Sequence, residues 1–189
     1  MNPVTTLATC LLLASATASA ASEIEGKLTA MLEGDLAAWA QDQIVLDAIQ
    51  AQNQRHAQIS QAEIDALDAQ WRAEIDAADR PTITPILENA ASDALRARIA
   101  ASGGLVTEAF VMDAHGLNAA TAGLTSDYWQ GDEAKFTETF PHGADGVHIG
   151  EVEFDESTQT FQVQLSFTLQ DPSGTPVGAM TIAVNAEAL

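Results

Sequence analysis

Apolar residues recur at helical spacing through the first half of the chain and at strand spacing through the second. Ile24, Leu28, Leu32, Leu36 and Trp39 return every three or four residues, which puts them on one stripe of an α-helix. Ser22 with Glu25 three residues on is a capping-box pattern at its start, and the stripe continues through Ile44, Leu46 and Ile49 to about His56. A second capping box, Ser60 with Glu63, opens a helix whose inner face is Ile64, Leu67, Trp71 and Ile75. Asp79-Arg80-Pro81 ends it. Thr84 followed by Pro85 predicts a third helix, with Leu87, Ala91, Leu95 and Ile99 inward, that Gly103-Gly104 stops.

From Leu105 the period changes to two, and turn residues come at short intervals. Strands are predicted over Leu105–Met112, Leu117–Leu124, Val147–Phe154 and Val177–Asn185. The clearest lies between the last two, where Phe161, Val163, Leu165, Phe167 and Leu169 alternate with Gln162, Gln164, Ser166, Thr168 and Gln170. A short helix over Asp132–Thr139 separates the second strand from the third. Tight links such as Asp113-Ala114-His115-Gly116 and Asp171-Pro172-Ser173-Gly174 predict an antiparallel sheet. The expected fold class is α+β: long N-terminal helices packed on a five-stranded antiparallel sheet. The organisation expected is a signal peptide over residues 1–20, a helical arm over 21–102 and the sheet domain over 103–189.

The export signal is read from Val4 to Ala14, an apolar run too short to span a bilayer, and from the small-residue cleavage motif Ala18-Ser19-Ala20. The single cysteine, Cys10, falls in that segment, so the mature chain, periplasmic or secreted, is expected to carry no disulfide or thiol chemistry. Charge narrows the partners. Twenty-seven acidic residues against seven basic ones give a net charge of −20, and such a surface repels nucleic acid and anionic membranes. The acids are scattered, as on a solvated surface suited to a salty medium; the alternative is attraction of a cationic ligand or partner.

The element order resembles that of the Cache superfamily, the extracytoplasmic PAS-like sensor domains of bacterial chemoreceptors and sensor kinases. Val111-Met112-Asp113-Ala114-His115-Gly116 is similar to that family's first hairpin. Thr125-Ser126-Asp127-Tyr128-Trp129-Gln130-Gly131-Asp132-Glu133 is similar to the segment after its second strand, and Asp171-Pro172-Ser173-Gly174 through Thr181 to its closing hairpin. The likeness covers Leu105 to Leu189 in its motifs and the helices only in their architecture. It implies a sensor or binding module of single-Cache type. Family members run on from the last strand into a transmembrane helix and a signalling module, whereas this chain stops at Leu189. A free-standing domain that acts through a membrane receptor or sensor kinase is therefore expected, with a homodimer through the N-terminal helix as a further expectation.

Asp127, Tyr128 and Trp129 are the first site candidates. The rings would wall a pocket and the carboxylate would accept from an amine or hydroxyl; alternatively, the rings plug the sheet and Asp127 caps a turn. Gln164 and Ser166 share the polar side of the clearest strand, which is either solvent-exposed or a polar pocket floor. Lys135, on the short helix, would serve a carboxylate ligand or lie on the surface. The ligand expected is a small polar metabolite, an amine, hydroxylated or neutral compound rather than a dianion. His115, His142 and His148, with Asp145 or Glu151, match no zinc-binding spacing. Nucleophile elbow and phosphate-binding loop motifs are absent, so neither catalysis nor a cofactor is expected. Two other readings stay open: a protein-interaction module working through the helical arm, and a hydrolase built on the acidic and histidine residues.

Overall fold

The computed structural model describes residues 22–156 and 158–189. The signal peptide expected over residues 1–20, with Cys10, lies outside the described residues. Seven α-helices and five strands follow. The helices are α1 (residues 22–33), α2 (Ala37–Ala40), α3 (Gln43–Arg55), α4 (Gln61–Glu74), α5 (Ile83–Leu87) and α6 (Ala90–Ala101), with α7 (Ala134–Thr137) between strands. The strands are β1 (Val106–Met112), β2 (Asn118–Thr121), β3 (Val147–Asp155), β4 (Thr160–Gln170) and β5 (Pro176–Asn185). Every neighbouring pair is antiparallel, in the order β2-β1-β5-β4-β3. The α+β class expected from the periodicity is the one observed.

The helices are more broken than their apolar stripes predict. Ser22 is already helical and so is not an N-cap. The single helix expected from Ser22 to His56 turns at Gly34 and restarts at Asp42, whose carboxylate accepts the Ile44 N–H at 2.9 Å and caps α3. The helix expected from Thr84 is likewise split by Asn89, which caps α6 through the Ser92 N–H. Only the Ser60–Glu63 capping box works as read. A stripe reports which side is buried; polar caps inside it decide where the axis bends.

Two packing faces follow from the register. On one, Val111, Leu165, Phe167 and Ile182 are buried against Leu28, Leu36, Leu46, Ile49 and Leu95 of the helices. A separate cluster forms where α4 and α5 bury Ile64, Trp71 and Ile83 against Leu117 and Tyr128. On the opposite face, Phe110, Met112 and Ala179 pack with Phe136 of α7, and Phe140 of the following 3-10 helix (Phe140–His142) lies beside them.

β2 ends at Thr121, earlier than the expected Leu124. After it the chain swings across the end of the sheet as a loop over residues 122–133. The β1–β2 turn holds Gly116 at φ +81°, and a Cβ there would meet the Cα of Gly131 at 2.5 Å. The loop can lie against the turn only because both positions lack side chains.

Candidate functional site

The loop carrying Asp127, Tyr128 and Trp129 is gripped by α4. Buried Asp68 accepts the Tyr128 and Trp129 N–H groups at 2.9 and 3.1 Å, and the Trp71 indole donates to the Thr125 carbonyl at 2.9 Å. Tyr128 is buried and stacked on Trp71 with centroids 5.1 Å apart; burial, helped by the charge of Asp113, pushes its hydroxyl pKa up. Trp129 donates to the His115 carbonyl at 2.9 Å. The Asp127 carboxylate meets the Arg72 guanidinium at 2.7 Å, and Arg72 also pairs with Asp68. These three residues thus cluster on the α4 side of the loop, with the partners that hold it in place.

Lys135, Gln164 and Ser166 come together elsewhere, on the sheet face under α7. Cross-strand pairing lines up Thr121, Phe110, Thr181, Ser166 and His148 in one row over all five strands. The Ser166 and Thr181 hydroxyls are buried and bonded to each other at 3.0 Å. The buried Thr121 hydroxyl in the same row has no hydrogen-bond partner among the described residues. The next row carries Glu108, Ala183 and Gln164. Ala183 is fully buried between them, and Glu108 and Gln164 each border a pocket to one side of it.

α7 hangs over these rows. Its buried Phe136 stacks on Phe140 at 5.5 Å, which fixes the short helix on the sheet. Lys135, one residue earlier, is thereby aimed across it. Its ammonium lies 5.5 Å above the Phe110 ring, 2.9 Å from the Glu133 carboxylate and 3.2 Å from the Gln130 side-chain oxygen. Lys135, His148 and Gln164 line a pocket of about 300 Å³. A second, of about 380 Å³, adjoins it and is lined by Glu108, Thr107 and Arg96. The two share Asp155 and Gln162, so the trough they make starts under α7 and opens towards Arg96, Ile99 and Ala100 of α6.

The trough has an internal electrostatic gradient. Burial pushes the Glu108 carboxyl above its ordinary pKa; Lys135 offsets part of this and Asp155 adds to it. The Lys135 ammonium and the Gln164 amide, an acceptor and a donor, therefore face one pocket, and Glu108, a carboxyl of raised proton affinity, faces the adjoining one. Such a site can orient a molecule that has an acceptor at one end and a donor at the other. Among the described residues no group of three or more His, Cys, Asp or Glu side chains is placed to hold a metal.

Glu108, Thr181 and His148 were not among the ligand candidates. Glu108 was legible as the one charged residue of its strand. Thr181 was not, because only the β4–β5 register brings it to Ser166.

No family model matches this chain, and no curated protein does. Among solved structures, the chain is similar to the Vibrio cholerae histidine kinase DctB sensor domain at 12% identity and a TM-score of 0.48, covering 94% of this chain and 58% of that one. It is similar to the ligand-binding domain of the Campylobacter jejuni chemoreceptor Tlp3 in complex with L-valine at 13% identity and a TM-score of 0.41, over 85% of this chain and 63% of the other. An extracellular ligand-binding receptor from Desulfohalobium retbaense matches at 12% identity and a TM-score of 0.37, over 76% and 25%. The chain spans less than two thirds of the length of each. At such identities and TM-scores the likeness carries nothing about ligand or residue roles.

Proposed function

We propose that this chain is an extracytoplasmic small-molecule-binding module of Cache type, a sensor rather than an enzyme, that holds a small polar metabolite in the trough beneath α7. The observation that carries this reading is that Lys135 and Gln164 line one pocket and Glu108 the adjoining one, on the sheet face that also carries the buried Ser166–Thr181 pair. A sheet face meant only to be covered would bury apolar side chains here. Polar groups brought together in a concave, half-buried site are what fixes the orientation of a small ligand. The likeness of the 125–133 segment to Cache domains adds to this, and the Ala18-Ser19-Ala20 motif supports export. Signalling through a membrane receptor or sensor kinase belongs to the same reading.

The ligand class follows from the walls. Lys135 serves a carboxylate or hydroxyl oxygen, while Glu108 and Gln164 serve an amine or hydroxyl. Five acids, Glu108, Glu133, Glu151, Glu153 and Asp155, surround the trough, so a dianion is disfavoured. Asp127, Tyr128 and Trp129 act in this reading through the loop that leads into α7.

The test is thermal unfolding of the protein against a panel of amino acids, amines, hydroxy acids and sugars. A ligand at a hundred times its dissociation constant should stabilise by ~2.7 kcal/mol, a shift of several degrees. Lys135→Ala and Gln164→Leu should each remove that shift. A shift that survives both substitutions places the ligand outside the trough and sinks the reading.

A further inference from the structure

We infer that the free edge of β3 is a docking site for an extended segment of another protein, in which apolar and basic side chains alternate. The site lies on the helix side of the sheet edge, and His148 and Glu151 border both it and the trough.

β3 is the last strand of the sheet, and among the described residues no strand pairs with its outer side. The helix layer stops short of it. Val147, Val152 and Phe154, which share the face of the main core through their pairing with Phe167, Val163 and Phe161, stay 45%, 44% and 49% exposed. Phe161 is 47% exposed and meets Phe154 edge-on at 5.3 Å. Between this edge and α1 runs a groove of about 1080 Å³, with Ile24 and Leu32 of α1 on its far wall. Large apolar side chains concentrated on a free strand edge are the feature that soluble proteins ordinarily avoid, because the unpaired backbone recruits another strand.

Charge selects the occupant. Glu25, Glu33 and Glu151 line the groove, and no Lys or Arg does. The register break between Ile149 and Val152 brings Glu151 to the rim, where it borders both the groove and the trough, and Glu153 lies on the opposite face of the strand. A second copy pairing along this edge would set these carboxylates against themselves, on two chains each of net charge −20. An added strand of the opposite character satisfies both faces: alternate side chains enter the groove against Val147 and Val152, and those between them meet Glu151 and Glu153. β3 spans nine residues, which sets the length of the segment at about 30 Å.

The experiment uses the full chain and three capped nine-residue peptides: alternating Val and Lys, the same composition with Lys and Val in separate blocks, and alternating Val and Glu. Binding is read by fluorescence anisotropy and amide hydrogen exchange over Val147–Asp155. The alternating Val/Lys peptide is expected to bind, to slow exchange along β3 and to weaken as salt is raised. Val152→Lys, at an exposed position, should reduce affinity tenfold or more while leaving the circular dichroism spectrum unchanged. Two results would overturn the inference. Equal binding of the blocked peptide with β3 exchange unaltered would show unspecific attraction to a polyanion. Concentration-dependent protection of β3 without peptide would show that a second copy fills the groove.

Discussion

Glu108 shows how one residue can set a local condition for the whole site. It sits in β1 between Thr107 and Ala109, and burial holds its carboxyl above the ordinary pKa. Between the unfolded and folded pKa values the native state binds more protons than the unfolded chain, so stability falls as pH rises through that window. Above it the charged carboxylate is a standing cost. Glu108→Gln should therefore raise the melting temperature at pH 7, and the gain should vanish below about pH 4, where both states are protonated. Melting curves of the two proteins at these pH values check it; a gain that persists in acid would assign the effect to packing. Asp68 and Asp113 are buried acids surrounded by donors. Asp68 takes two loop amides, while Asp113 takes the His115 and Leu117 N–H groups and lies 2.7 Å from the His56 ring.

At the scale of elements, α4 and α5 form a clamp that positions the loop leading into α7. The clamp hinges on Glu74, which is almost wholly buried and accepts the Thr82 and Ile83 N–H groups at 2.8 and 3.0 Å. Burial pushes its pKa up, but the bonds from Ile83, Thr82 and Gln70 outweigh this and the net shift is downward. A depressed carboxylate contributes stability above its unfolded pKa and loses it as pH falls through the folded one. Glu74→Ala should thus cost roughly 1–3 kcal/mol at neutral pH, the penalty of leaving buried amides unpaired. The difference between the two proteins should shrink as pH falls below the carboxylate range. Urea unfolding at pH 7 and pH 3 measures both parts.

For the whole molecule, the excess of carboxylates sets the response to salt. With 27 acidic and 7 basic residues, the folded chain repels itself more strongly than the expanded one. Screening shortens that repulsion from about 30 Å at 0.01 M to about 3 Å at 1 M salt. The melting temperature should therefore rise steadily with sodium chloride over this range. A flat or falling curve would mean that ion pairs such as Arg98–Asp42 and Arg72–Asp127 outweigh the net charge.

The amino-acid sequence alone determined what depends on neighbours along the chain. The period of three to four and then two, the Ser60–Glu63 capping box, the alternation of β4 and the turn at Asp171–Gly174 are local, and they suffice for an α+β fold with helices before sheet. Lys135 and Gln164 were legible as candidates because a lone lysine after an acidic pair and a polar row in a strand are visible one residue at a time. What tertiary structure decided is everything set by register and docking. Ser166 faces Thr181, and Glu108 falls beside Gln164 across Ala183, only because β5 lies between β1 and β4. The grip of α4 on Asp127, Tyr128 and Trp129 joins positions some sixty residues apart, beyond the reach of any local pattern. The same holds for the exposed edge of β3. Alternation marks one side of a strand as apolar, but how far the helix layer extends over that side is settled only when the helices pack.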